Sequence, residues 1–184
     1  MRKALHLLGI MDDIDIDWLA TVGTQRRIKI GELLIEEKKP IDSIYIVLDG
    51  KLSVVVGGTN GKHIATLLQG EVVGEMSFVD SHLPSASVVA EENSLLLSID
   101  RKELTTKLAR DQAFAARFYH AIANFLADRL YVTVGRLGYG SAQQDVDGGE
   151  LQDAAMDNID LAAVRFDKLL RRLRGDLQGT DASR

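Results

Sequence analysis

Between Arg26 and Ile99 the chain breaks into short runs of apolar and β-branched residues, each closed by a turn signal. The runs are Arg26–Ile30, Leu33–Glu36, Ser43–Leu48, Lys51–Val56, His63–Leu68, Ser87–Ala90 and Leu95–Ile99. They are too short and too regularly punctuated for helices, and their spacing predicts an antiparallel sandwich, jelly roll or barrel. Asp49-Gly50 stands directly between two of the runs. It predicts a two-residue hairpin, because both positions tolerate positive φ.

On either side the period becomes helical. Ile14, Trp18, Leu19 and Val22 predict a short helix over Asp13 to Val22. Asp100 and Glu103 form a capping-box pattern ahead of Leu104 and Leu108. A long helix follows from about Asp111 to Leu137, with a broad apolar face of Phe114, Phe118, Ile122, Phe125, Leu126, Leu130 and Leu137. That face requires cover from the β unit, from a second copy of the chain, or from both. Gly138, Gly140, Ser141, Gly148 and Gly149 mark a linker. Beyond it Ala155, Ile159, Ala162, Phe166, Leu169 and Leu173 alternate three- and four-residue steps, the mark of an amphipathic helix in need of an apolar partner. Lys168, Arg171, Arg172 and Arg174 read as its solvated, dipole-compatible end. The chain thus divides into residues 1–138, with strands over about 24–100 and the long helix over about 111–138, and a linker with tail helix over 139–184 (helix about 151–174).

Several function classes are disfavoured. The net charge of −5 argues against a general nucleic-acid binder, and too little chain follows Gly138 for a helix-turn-helix. The absence of cysteine removes disulfides, thiolate metal sites and cysteine nucleophiles. His6, His63, His82 and His120 are scattered without metal-ligand spacing. Nothing resembles a nucleophile elbow, so no enzyme, metal or cofactor is expected. The start Met1-Arg2-Lys3 runs into Asp12 and Asp13 without a cleavage-site pattern, and no apolar run is long enough for a bilayer. A soluble cytoplasmic protein without membrane contact is the expectation.

The chemistry-bearing stretch is Gly70 to Val88. Gly70 and Gly74 allow a sharp turn and close backbone approach to a ligand. Glu75, when ionised, accepts hydrogen bonds from vicinal hydroxyls. The amides of Met76, Ser77 and Phe78 open a helical turn and offer an anion nest. Ser85, Ala86 and Ser87 leave room on the returning strand. Together these describe a site for a ribose phosphate. Glu75 equally suits a second role, as a carboxylate that caps the helical turn and holds the loop.

From about Asp13 to Leu137 the chain resembles the cyclic nucleotide-binding domain family, which includes the catabolite activator protein and the regulatory subunit of protein kinase A. The resemblance rests on Ile44-Tyr45-Ile46-Val47-Leu48-Asp49-Gly50, on the Gly70-x-x-x-Gly74-Glu75 spacing and on the apolar helix after the strands. It implies an eight-stranded antiparallel β-roll flanked by helices. It places Glu75 on the ribose 2′-hydroxyl, Met76 and Ser77 on the cyclic phosphate, and Ser87 at the far end of the phosphate cassette. It implies a long helix that caps the base, through residues around Arg129 to Thr133, and forms a homodimer seam. The family's phosphate-pairing arginine aligns with Ser85, which carries no charge. A charge-assisted hydrogen bond of that kind contributes about 1.5–3 kcal/mol. Arg129 and His82 are the candidate replacement cations. The expected function is a regulatory sensor that binds a cyclic nucleotide or related phosphate weakly or atypically. The alternative is a ligand-independent dimerising scaffold with the tail helix as its protein-docking element.

Overall fold

A computed structural model describes residues 6–58, 61–136 and 161–173. The element order is α1 (His6–Ile10), α2 (Asp13–Val22), β1 (Thr24–Ile28), β2 (Leu33–Ile35), β3 (Ser43–Asp49), β4 (Lys51–Val56), β5 (Lys62–Leu68), β6 (Val72–Val73), α3 (Glu75–Asp80), β7 (Ser87–Ala90), β8 (Ser94–Asp100), α4 (Arg101–Arg110) and α5 (Gln112–Arg136). Residues 161–173 form a further helix, α6. The glycines expected as a linker, Ala155, Ile159 and Arg174 lie outside the described residues. No helix among the described residues is long and apolar enough to cross a membrane.

The strands form two antiparallel four-stranded sheets, ordered β1-β8-β3-β6 and β2-β7-β4-β5. First pairs with last, second with seventh, third with sixth and fourth with fifth. This nesting is a double strand wound into a jelly roll, as the run spacing and the family resemblance lead one to expect. The Asp49-Gly50 hairpin, however, does not form. β3 is flanked by β8 and β6, whereas β4 belongs to the other sheet. Both edges of β3 are therefore taken, and the turn carries the chain from one sheet to the next. Gly50 still has the positive φ of 98° that the turn needs, and a Cβ there would run into Ser94.

Strand periodicity sorts the core into two compartments. Tyr45, Val47, Leu52, Val73, Val88 and Leu96 fill the space between the sheets. Ile44, Ile46, Leu48, Leu97 and Ile99 point the other way and meet the helices. β3 is buried on both faces, which is why it reads as an unbroken apolar run.

The helical layer differs from the sequence expectation in two places. In α2 Ile14 is 72% exposed, while Asp15 and Ile16 are buried. The helix is rotated because Asp15 turns inward to receive Arg117 of α5, at 2.6 Å from Nε and 2.9 Å from Nη2. The second difference is the tail. Ala162, Phe166, Leu169 and Leu173 share one core with Leu8, Met11, Leu19, Phe118, Ile122 and Phe125. The apolar seam of α6 is thus covered by its own chain, so it is not a free docking face. Its basic residues are likewise engaged rather than merely solvated. Arg165 and Lys168 lie 3.1 and 3.2 Å from Asp13, and Arg172 lies 3.0 Å from Asp17. The two salt bridges hold the Asp13 carboxyl below its usual range. The proximal half of α5 is buried at Phe114, Phe118, Ile122 and Phe125. Its distal half leaves Leu130 and Tyr131 exposed.

Candidate functional site

The path from β6 to β7 builds one wall of a cleft. After Val73 the chain reverses at Gly74, whose φ is 92°. A Cβ at this position would lie 3.0 Å from Ile41 Cδ1 and 3.1 Å from the Ser43 carbonyl, so only glycine fits without displacement. The reversal starts α3, which ends at Ser81 with φ 60°. Arg101 then anchors the C-terminal carbonyls of α3, donating to Ser77 O at 2.9 Å and lying over the Phe78 ring at 5.3 Å. Sequence reasoning missed Arg101. Its position directly after the strand end and the Asp100 cap gives no hint that it reaches back to α3.

The cleft encloses about 710 Å³ between the second sheet, α3 and the distal half of α5. Gly74, Glu75, Met76, Ser77, His82, Ser85, Ala86, Arg129 and Thr133 all line it. Ile35, Val54, Leu67, Val88, Phe125 and Leu126 supply an apolar floor and sides. Ser87 is not part of the lining. It is 1% exposed, and its hydroxyl accepts the Glu37 N–H at 3.0 Å, which fixes the β2–β7 corner. Thr133 spends its hydroxyl on the Arg129 carbonyl at 2.8 Å. His82 stands on the rim, 82% exposed, with Nδ1 3.2 Å from Asp80 Oδ2. The His82 amide and ring hold the Asp80 carboxyl below its ordinary value. Ser85 is exposed to the cleft and brings no charge.

The polar end is set by Glu75 and Arg129. Glu75 is 1% exposed. Arg129 Nη1 donates to Glu75 Oε1 at 2.7 Å and Nη2 donates to the Val72 carbonyl at 3.1 Å. The guanidinium sits 4.3 Å from the centroid of the Phe125 ring, within cation–π range. Burial pushes the Glu75 carboxyl above the ordinary carboxylate range, and the attraction of Arg129 offsets only part of that. The folded protein therefore keeps a proton on Glu75 at pH values where the unfolded chain has released it. The stability linked to that proton is complete below the ordinary carboxylate value and is lost as pH rises through the elevated one. Glu75→Gln, which cannot titrate, is expected to gain stability relative to the wild type as pH rises from the carboxylate range to neutrality. Urea denaturation across that range checks this, and a difference that stays constant with pH would contradict it.

Residues 25–111 match the profile of the family described as the cyclic nucleotide-binding domain. An NTE family protein of Mycobacterium tuberculosis is 27% identical over 128 residues, covering 68% of this chain and 22% of that relative. The chain thus aligns with only about a fifth of the length of this longer protein. Among solved structures, a cyclic nucleotide-binding domain from Methylobacillus flagellatus superposes with a TM-score of 0.67 at 20% identity, covering 78% of this chain and 85% of that one. The catabolite activator protein of Thermus thermophilus superposes with a TM-score of 0.61 at 21% identity, covering 93% and 87%. At these identities the superpositions establish a shared fold. Residues 25–111 thus match the cyclic nucleotide-binding domain profile, and the jelly roll with flanking helices built around them is the fold of the solved structures on which the chain superposes.

Proposed function

We propose that the chain is a non-catalytic regulatory module that binds a cyclic nucleotide, or a related phosphate ligand, in an atypical manner and relays occupancy through its C-terminal helices. The observation that carries this reading is Glu75. Its carboxylate is buried at the end of an open cleft, and its desolvation outweighs its one ion pair. The Glu75 carboxylate also accepts from its own backbone amide at the start of α3, and burial outweighs that contact as well. A buried carboxylate whose desolvation is not offset by its contacts and that faces a cleft fits a ligand contact. The cleft volume falls within the usual range for small-molecule sites. α5 lines the cleft with its distal half and packs with α6 in the same core through its proximal half. A ligand that touches Arg129 or Leu126 is therefore one helix away from the tail. The longer mycobacterial relative supports a module that reports to something beyond itself.

The exposed Leu130 and Tyr131 on α5 support a homodimer seam along this helix. The alternative reading, a ligand-independent scaffold, draws support from the uncharged Ser85 and from the Glu75–Arg129 pair that already fills the polar end. Amide hydrogen exchange with and without saturating cyclic AMP or cyclic GMP separates the two. The sensor reading expects changed protection in α3, in distal α5 and in α6. Unchanged exchange throughout would favour the scaffold.

A further inference from the structure

This inference rests on the ligand-binding reading above and concerns how the cleft meets a negative charge. The acidic side chains in the lining are Glu71, Glu75 and Asp80. Against them the described lining sets Arg129 and the His82 imidazole, which is held by Asp80. Among the described residues, an anion entering this cleft has one strong cation to meet, and that cation is already paired. Glu75 is 1% exposed behind the pair, whereas the Arg129 side chain is 33% exposed. Two of the guanidinium's five N–H donors are spent, one on Glu75 and one on the Val72 carbonyl. The remaining donors and the planar fork suit a phosphate oxygen pair. Arg129 lies 54 residues from Glu75 in sequence and on a different element, so the pair ties α5 to α3.

We propose that Arg129 is the residue that receives the ligand's anionic group, in place of a cation at Ser85, and that it does so by exchanging partners. In the free protein Arg129 is latched to Glu75. When the ligand binds, its phosphate takes Arg129 and a ligand hydroxyl donates to the vacated Glu75 oxygen. Each group keeps a partner in both states, because Arg129 pairs with Glu75 before and with the phosphate afterwards, while the hydroxyl donates to the carboxylate. The occupied site carries one net negative charge, next to solvent on the exposed side of Arg129. A phosphate ligand without that hydroxyl leaves Glu75 unpaired, so the latch opposes its binding. The exchange moves the anchor point of α5, which gives occupancy a mechanical consequence at this helix.

Calorimetry on the full chain tests this with cyclic AMP and 2′-deoxy cyclic AMP as probes. Arg129→Gln is expected to weaken cyclic AMP about ten-fold or more, and Arg129→Lys to recover part of that loss by restoring charge without the fork. Glu75→Gln releases the latch, and is expected to tighten 2′-deoxy cyclic AMP at least about three-fold, since that probe offers Glu75 nothing to lose. Thermal melts of each variant report folding separately. Wild-type affinity in Arg129→Gln, or weaker 2′-deoxy cyclic AMP binding in Glu75→Gln, overturns the exchange while leaving the binding reading intact. Absence of heat in the wild type with either probe overturns the binding reading and the exchange with it.

Discussion

Asp15→Ala is expected to destabilise the fold by about 3–5 kcal/mol, the range for removing one partner of a buried ion pair. Asp15 is 1% exposed, and both its oxygens accept from Arg117, at 2.6 and 2.9 Å. The Asp12 amide also donates to Asp15 Oδ2, at 2.8 Å, closing the first turn of α2. The carboxylate thus joins α2 to α5, 102 residues later in the chain. Its removal leaves Arg117, whose side chain is 25% exposed, with Asp12 at 3.2 Å and the more distant attraction of Asp111. Arg117→Met should cost a comparable amount, because it strands Asp15 without a cation. The double variant should cost much less than the sum, since neither charge is then left buried and unpaired. Urea denaturation of the three variants checks this. A loss below about 1 kcal/mol for Asp15→Ala would mean that the pair behaves like a surface salt bridge.

The second large effect concerns the tail. Leu169 is fully buried and Phe166 is 8% exposed against the N-terminal helices and α5. Leu169→Ala is expected to cost about 2–5 kcal/mol and Phe166→Ala about 3–5 kcal/mol, as for other large-to-small core changes. The ion pairs of α6 behave differently. Asp13 is 66% exposed in its pairs with Arg165 and Lys168, and exposed pairs of this kind contribute about 0–1 kcal/mol each. The apolar seam therefore supplies the adhesion of α6, and the Asp13 and Asp17 pairs supply its register. Truncation after residue 160 would uncover Leu8, Met11, Phe118 and Ile122. The shortened chain is expected to melt lower and to self-associate in light scattering. Equal stability and an unchanged size would contradict the packing of α6 on this core.

How much of this was legible in the sequence varies with the range over which each feature is determined. Strand positions follow from local composition, so Lys51–Val56 and Ser87–Ala90 stand where the runs place them. β6 escaped because two residues carry no periodicity, although Val72 and Val73 hold the edge of the first sheet. Pairing is not local at all. Asp49-Gly50 has the composition of a hairpin, but the neighbours of β3 are decided by β8, nearly fifty residues onward, and only the finished jelly roll reveals them. The cleft shows the same limit. Gly74 and Glu75 were readable from spacing, while Ser87 turned away because the Glu37 amide needed a partner that no sequence pattern announced. Arg129 could be placed on a helix, but its reach to Glu75 depends on how α5 crosses α3. Asp15 carried the opposite message from its true one. Its charge argues for a solvent face, and only Arg117 makes it an interior residue.

The most direct measurement is an amide NMR titration of the full chain with cyclic AMP and with cyclic GMP. One of the two is expected to give saturable shifts that concentrate in Val72–Phe78 and Phe125–Thr133, the two segments that meet at the Glu75–Arg129 pair. Spectra unchanged at millimolar concentrations of both would contradict a nucleotide-sensing cleft and leave the jelly roll as a scaffold.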